Sequence, residues 1–504
     1  MKNPIIWADV PDPDVIRVNG WYYMSSTTMH YTPGVPIMRS RDLVHWETVS
    51  YVYDVLEKDG EYKLEEGNNV YGGGSWASSL RYRDGTFYVC FACNNSKKTY
   101  IYVTEDIERG PWRRHVFTDQ YHDPSLIFDE GRAFIIYGAG SIRALELTPE
   151  ASAVLPGATP VEIIRMGSAE DHVPGEGSHI YRIGDWYYLF IIHWPKHPAG
   201  PGLSAGRRIQ WCFRSKDLLG RYEGKVVLDD DLGYFNNGVA QGGIFQSEDG
   251  RWFSMLFQDH GAVGRIPVLI PVEWRDGWPV FGQSGNVPLH MDDPLPPYPL
   301  ENNLLKSDSF DSPEPGFQWQ WNHNPDNSGW SLSERPGHLR IRAGAAVPDI
   351  HHARNTLTQR TFGPACSGEI LLDASGLAPG DYAGIAAFQS AYGFIGVHAD
   401  GGGKKSIVLC FNGENGTPVT QASVPFAGTM VRLKVICDFT GGRDSARFAY
   451  STDGTSWTEF PQSLEMKYTL DHFTGYRFAL FCYATHRAGG FADFAYFTSA
   501  IHTA

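Results

Sequence analysis

Three carboxylates recur at one place in the N-terminal half of this 504-residue chain. Asp12, Asp123 and Glu176 each stand eight residues ahead of a turn glycine (Gly20, Gly131 and Gly184). Gln241 takes the matching place in a unit whose turn, ahead of Gly250, is one residue longer. In the unit of Gly85 the place falls to Trp76, or to Ala77 with a one-residue shift. Carboxylates held close together part company in pKa, because like charge disfavours ionising the second. A protonated acid beside an ionised base is the pair that glycosidic bond hydrolysis needs: one protonates the leaving oxygen, the other activates water or attacks the anomeric carbon. A single Asp before Pro, as at Asp12-Pro13 and Asp123-Pro124, is an ordinary turn residue. Three acids converging on one cavity are not, since burying them without a cation costs several kcal/mol. Trp76 adds a flat apolar face suited to a sugar ring.

The elements that position these residues form a repeat, and repeats are sought first. DPDVIRVNGWYYM, WASSLRYRDGTFYV, DPSLIFDEGRAFII, EGSHIYRIGDWYYLFI and QGGIFQSEDGRWFSMLF share a short apolar strand, a glycine turn and an aromatic strand. Each unit has room for about four short strands, as a propeller blade requires. The expected fold is all-β: a five-bladed β-propeller over 1–290, whose equivalent positions meet on one axis. A Pro-rich linker follows at 291–303. Strands with turn signals at regular spacing then predict a β-sandwich over 304–504, of jelly-roll or lectin-like type.

Composition narrows the function classes. Apolar residues make up 42% of the chain and aromatics 14%, with 55 Gly and 32 Pro, which suits strands joined by tight turns. The net charge of -15 argues against a nucleic-acid or anionic-membrane partner. No apolar run reaches a membrane span, and the first residues lack a basic and then apolar leader, so a cytoplasmic location is expected. The seven cysteines lie mostly in apolar runs and read as buried thiols. GLSAG (202–206) matches a nucleophile elbow but lacks the flanking strand and helix.

WADVPDPDVIRVNGWYYMSSTTMHYTPGVPIMRSRDLVHWE, HDPSLIFDEG and GEGSHIYRIGDWYYLFI resemble the three catalytic motifs of glycoside hydrolase family 43. QWQWNHNPDNSGWSLSERPGHLRIR and ARNTLTQR resemble the C-terminal sandwich of its β-xylosidase-type members. The resemblance implies an inverting mechanism with Asp12 as general base, Glu176 as general acid and Asp123 tuning and orienting Glu176. It further implies that Arg265 grips sugar hydroxyls and that the sandwich lends an aromatic to the pocket rim, for which Phe497 is the candidate. Gln241 stands where xylosidase-type members often carry His. Some members hold a calcium ion through one histidine and several waters; His260 is the candidate here, and no organic cofactor is expected. The expected activity is removal of a non-reducing-end pentose from xylo- or arabino-oligosaccharides, as β-1,4-xylosidase and/or α-L-arabinofuranosidase. The alternatives are an endo-arabinanase or galactanase, or a non-catalytic carbohydrate-binding propeller.

Overall fold

Two-residue corners set the repeat. Asn19-Gly20, Asp84-Gly85 and Glu130-Gly131 all have positive φ, between 48° and 84°. This is the type I′ geometry whose twist matches that of flanking strands. A Cβ at Gly85 or Gly131 would meet nothing within 4 Å, so backbone conformation alone selects glycine there.

The computed structural model describes residues 1–413 and 416–502. Five four-stranded antiparallel sheets form the propeller blades. Their innermost strands are Asp14–Val18, Ser75–Arg83, Ser125–Asp129, Val173–Ile183 and Ile244–Gln246. The first four abut in chain order, and the first also abuts the fifth, closing the ring. Buried Asp14 pins this ring by accepting from Arg81 Nη1 at 2.6 Å and from the Leu80 N–H at 2.8 Å. The N-terminal segment seals blade five to blade one. Asn3 Nδ2 donates to the Leu269 and Pro288 carbonyls, and the Val10 N–H donates to the Arg265 carbonyl. All seven cysteines are buried and unpaired. No helix among the described residues is long and apolar enough to cross a membrane.

The C-terminal half packs two large sheets face to face around a shared apolar core. One of them continues into the propeller: strand Tyr31–Thr32 of the N-terminal half pairs with Gln320–Asn322 at its edge. The Pro-rich stretch is likewise packed down. The Tyr298 N–H donates to Asp42 Oδ2 at 2.8 Å, and Asn303 bonds both backbone groups of Thr48. The halves are therefore one structural body rather than two beads on a linker.

A histidine cluster fills this seam. His30 from the propeller lies 5.1 Å from His323 and 5.4 Å from His472, both of the sandwich, measured between ring centroids. Tyr71 stacks on His472 at 4.0 Å, and its hydroxyl donates to the His351 carbonyl at 2.7 Å. Burial, reinforced by neighbouring histidines, pushes the pKa of His30 and His472 well below 6.5 and that of His323 down to about 3. Neither ring nitrogen of His30 has a protein partner. With folded pKa values below the unfolded value, the unfolded chain binds more protons across this window. Stability is then full above about pH 6.5 and declines as pH falls toward about 3, by up to about 1.4 kcal/mol per pH unit for each histidine. Thermal melts between pH 8 and 5 are expected to show this decline. His30→Phe, which forfeits no hydrogen bond to any described residue, should make it shallower by the share of one histidine; an unchanged pH dependence would remove His30 from the account.

Candidate active site

The repeated site positions share a strained backbone. Asp12, Asp123 and Gln241 have φ of 52°, 45° and 64°, a left-handed conformation that side chains other than Gly rarely adopt. Such strain costs about 1–3 kcal/mol per residue and gathers at functional sites. In blade four the device differs: the register shifts on both sides of Glu176, and Gly175 and Gly177 take the positive φ. This β-bulge re-aims the glutamate, as bulges beside active sites do. Blade two carries a similar register shift between Ser75 and Ser78, at Trp76.

Asp12 is 3% exposed and accepts from Arg265 Nη1 at 3.1 and 3.2 Å through its two oxygens. Its pKa is raised: burial is the largest cause, and the Arg265 and then the Arg208 charges oppose it only in part. Asp123 accepts from the Gly177 N–H at 3.1 Å. Its pKa is raised, first by burial and then by the Glu176 and Asp12 charges, against the opposing pull of His122. Glu176 is the most open of the three, its side chain 23% exposed. Its Oε2 lies 2.8 Å from His122 Nε2, which is 3.8 Å from Asp123 Oδ2. The Asp123 charge first, and the hydrogen bond to Glu176 next, hold the His122 pKa up at about 9 against burial. The acid face of the site is thus a cluster of three groups centred on His122, and on the other face Asp12 is paired with Arg265.

The other expected site residues fall around these groups. Trp76 is half-buried, anchored by an indole N–H donating to the Gly72 carbonyl at 3.0 Å, with its ring 6.1 Å from His122. The Gln241 N–H donates to Gln210 Oε1 at 2.8 Å. Its side chain lies so close to Gly177 that a Cβ there would come within 3.1 Å of it.

One expectation needs correction. Phe497 does not reach the pocket: strand Phe491–His502 turns it into the sandwich core, fully buried against Trp319 and Phe478. The sandwich aromatic at the site is Phe473, 5.4 Å from Trp76 and 4.6 Å from the Arg265 guanidinium. Its carbonyl accepts from Arg265 Nη2 at 3.4 Å. The signal available in sequence was an aromatic in the turn-rich run DHFTG, outside any strand period that would claim it for a core. His260, the expected calcium ligand, is set among protein neighbours. Its Nε2 is 2.8 Å from Gln258 Oε1, and its ring stacks on Tyr234 at 3.8 Å and meets the edge of Trp7 at 5.2 Å. Burial lowers its pKa to about 3. Two further residues went unread: His122, and Arg208, which pairs with Asp259 and lies 4.5 Å over the Trp194 ring.

Exchanging the two phenylalanines separates these roles. Phe497→Ala is expected to lower the unfolding free energy by about 3–5 kcal/mol, as for a core aromatic, with KM nearly unchanged. Phe473→Ala should leave the melting temperature close to wild type and reduce kcat/KM by about tenfold or more through lost ring packing. Denaturant melts and steady-state kinetics on the pair check both; the reverse pattern would return Phe497 to the pocket.

Comparison with known proteins agrees with this geometry. Residues 1–279 match the model of glycosyl hydrolases family 43, and 307–499 match the β-xylosidase C-terminal concanavalin A-like domain. A β-xylosidase of Formosa agariphila is 30% identical over 98% of this chain and 89% of its own length. A non-reducing end α-L-arabinofuranosidase of Bacteroides ovatus is 32% identical over 68% of this chain and 65% of its own. The solved structure of a bifunctional GH43-CE protein of Bacteroides eggerthii superposes with a TM-score of 0.92 at 44% identity. It covers all of this chain, which spans 64% of that longer protein. The acids on the propeller axis, the sandwich that reaches over them and the matches to both halves lead to one conclusion: the chain belongs to glycosyl hydrolase family 43 and is a glycoside hydrolase.

Proposed function

We propose that the protein is an exo-acting, inverting hydrolase that removes one pentose from the non-reducing end of xylo- or arabino-oligosaccharides. Its activity is that of a β-1,4-xylosidase, an α-L-arabinofuranosidase, or both, in keeping with the two curated relatives. The observation that carries the exo reading is the sandwich segment holding Phe473 beside Trp76 and Arg265. A second domain reaching over the acids leaves a pocket for a chain end, where an endo-acting arabinanase or galactanase needs an open groove.

Asp12, paired with Arg265, takes the proton from the attacking water. Glu176, the acid with most access to the cavity, donates to the departing glycosidic oxygen. Asp123 and His122 hold the second proton and set the charge around Glu176. No metal has a step in this scheme.

Asp12→Ala and Glu176→Ala are each expected to lower kcat by about 10²–10⁴-fold, the usual worth of a general acid or base. The Glu176→Ala loss should shrink on aryl pentosides with good leaving groups, which need little protonation, and the Asp12→Ala loss should not. Release of p-nitrophenol against release of an alkyl alcohol, from xylopyranosides and arabinofuranosides, reads this directly. Equal losses on both leaving groups would remove Glu176 from the acid role.

A further inference from the structure

The segment that brings Phe473 to the site carries a second aromatic with an unused polar end. Tyr468 packs edge-on to Phe473, with ring centroids 6.4 Å apart. Its hydroxyl is buried, yet it neither donates to nor accepts from any described residue. The same holds for Nε of Arg265 and Nε of Arg208, the two guanidinium groups of the Asp12 side. The charges that bear on the phenol are those of Arg265, Asp9, Arg208 and Asp12. Burial pushes its pKa up to about 12, so it stays a neutral O–H throughout the working range.

Buried polar atoms are normally paired, and a hydroxyl left without a partner has given up its bonds to water for nothing in return. Tyr468 and Arg265 both pack on the Phe473 ring, and unpaired polar atoms on two side chains that share that ring are complementary to a ligand with its own hydroxyls. A phenol both donates and accepts, whereas guanidinium N–H groups only donate. Together they suit a sugar hydroxyl that accepts from arginine and exchanges a second bond with tyrosine.

Building on the pentosidase reading, we infer that Tyr468 of the sandwich domain is a specificity-determining residue, whose hydroxyl hydrogen-bonds one ring hydroxyl of the non-reducing-end pentose beside Arg265. The C-terminal domain then reads the sugar chemically as well as covering it with Phe473. A site built to bond a substrate hydroxyl discriminates strongly against an analogue lacking it, because its own polar groups are left unpaired.

The test compares wild type with Tyr468→Phe on p-nitrophenyl β-xylopyranoside and its 2-, 3- and 4-monodeoxy analogues. Tyr468→Phe should keep the wild-type melting temperature and lose about 2- to 12-fold in kcat/KM on the parent, the worth of one neutral hydrogen bond. On one deoxy analogue alone that loss should vanish, since the bond's other half is already gone. Parent activity equal to wild type, or the same loss on every analogue, would overturn the inference and leave the phenol hydroxyl a buried group with no part in binding the sugar. Inhibition of the wild type by free pentose and its monodeoxy forms gives a second reading: one position should weaken binding far more than the others, and the Tyr468→Phe variant should not distinguish it. If the wild type turns over neither xylosides nor arabinosides, the function reading fails instead, and the two failures are told apart by that control.

Discussion

The Asp12–Arg265 ion pair is the constraint on which the rest of the molecule leans. Both partners are nearly removed from solvent, at 3% exposure each. Two charges in that setting persist only if each is matched, and deleting one partner of a buried pair costs about 3–5 kcal/mol. The matching extends outward from the pair. The Arg265 N–H donates to Asp9 Oδ1 at 2.8 Å, and Asp9 Oδ2 accepts from the Gly475 N–H of the sandwich at 2.9 Å. The Asp9 carbonyl accepts from Arg360 Nε at 2.8 Å, again across the domain seam. Ring closure, sandwich docking and the surroundings of Asp12, the proposed base, therefore meet within a few residues. This is why the sandwich continues the propeller's own strand Tyr31–Thr32 and is not an appended module.

The two sides of the site reach different protonation states by different means. On one side, two arginine charges oppose the rise in pKa that burial imposes on the Asp12 carboxyl. On the other, burial and crowding of Asp123 with Glu176 and Asp12 favour keeping a proton, while His122 carries a further one. The separation of base from acid is thus set by environment and not by residue type, the general way one fold runs both chemistries near neutral pH. The backbone pays for this with left-handed residues at Asp12 and Asp123 and a bulge at Glu176.

Much of this was legible in the residues. The glycine corners are local chemistry, so the hairpins and the five-fold repeat follow from Asn-Gly, Asp-Gly and Glu-Gly pairs with their flanking alternation. Counting back from those glycines found Asp12, Asp123, Glu176 and Gln241, because a repeat converts sequence offset into a position on the axis. What stayed hidden depends on contacts without periodicity. Phe497 obeys a strand pattern and is core for that reason, whereas Phe473 lies in an irregular run whose place is fixed by Asp9 and Ala262 of the propeller. His260 follows an inner hairpin as expected, but its neighbours Gln258 and Tyr234 occupy it. Arg208 and His122 had no signal of their own, since their partners come from other blades or adjacent loops.

The central claim is that Asp12 directs water to one face of the sugar while Glu176 protonates the oxygen leaving from the other. The anomer released in the first turnovers tests it most directly. Proton NMR of a β-xyloside digest, followed before mutarotation equilibrates the product, should show α-xylose appearing first and β-xylose rising later. Initial accumulation of β-xylose would mean net retention, a covalent intermediate and a different division of roles among Asp12, Asp123 and Glu176.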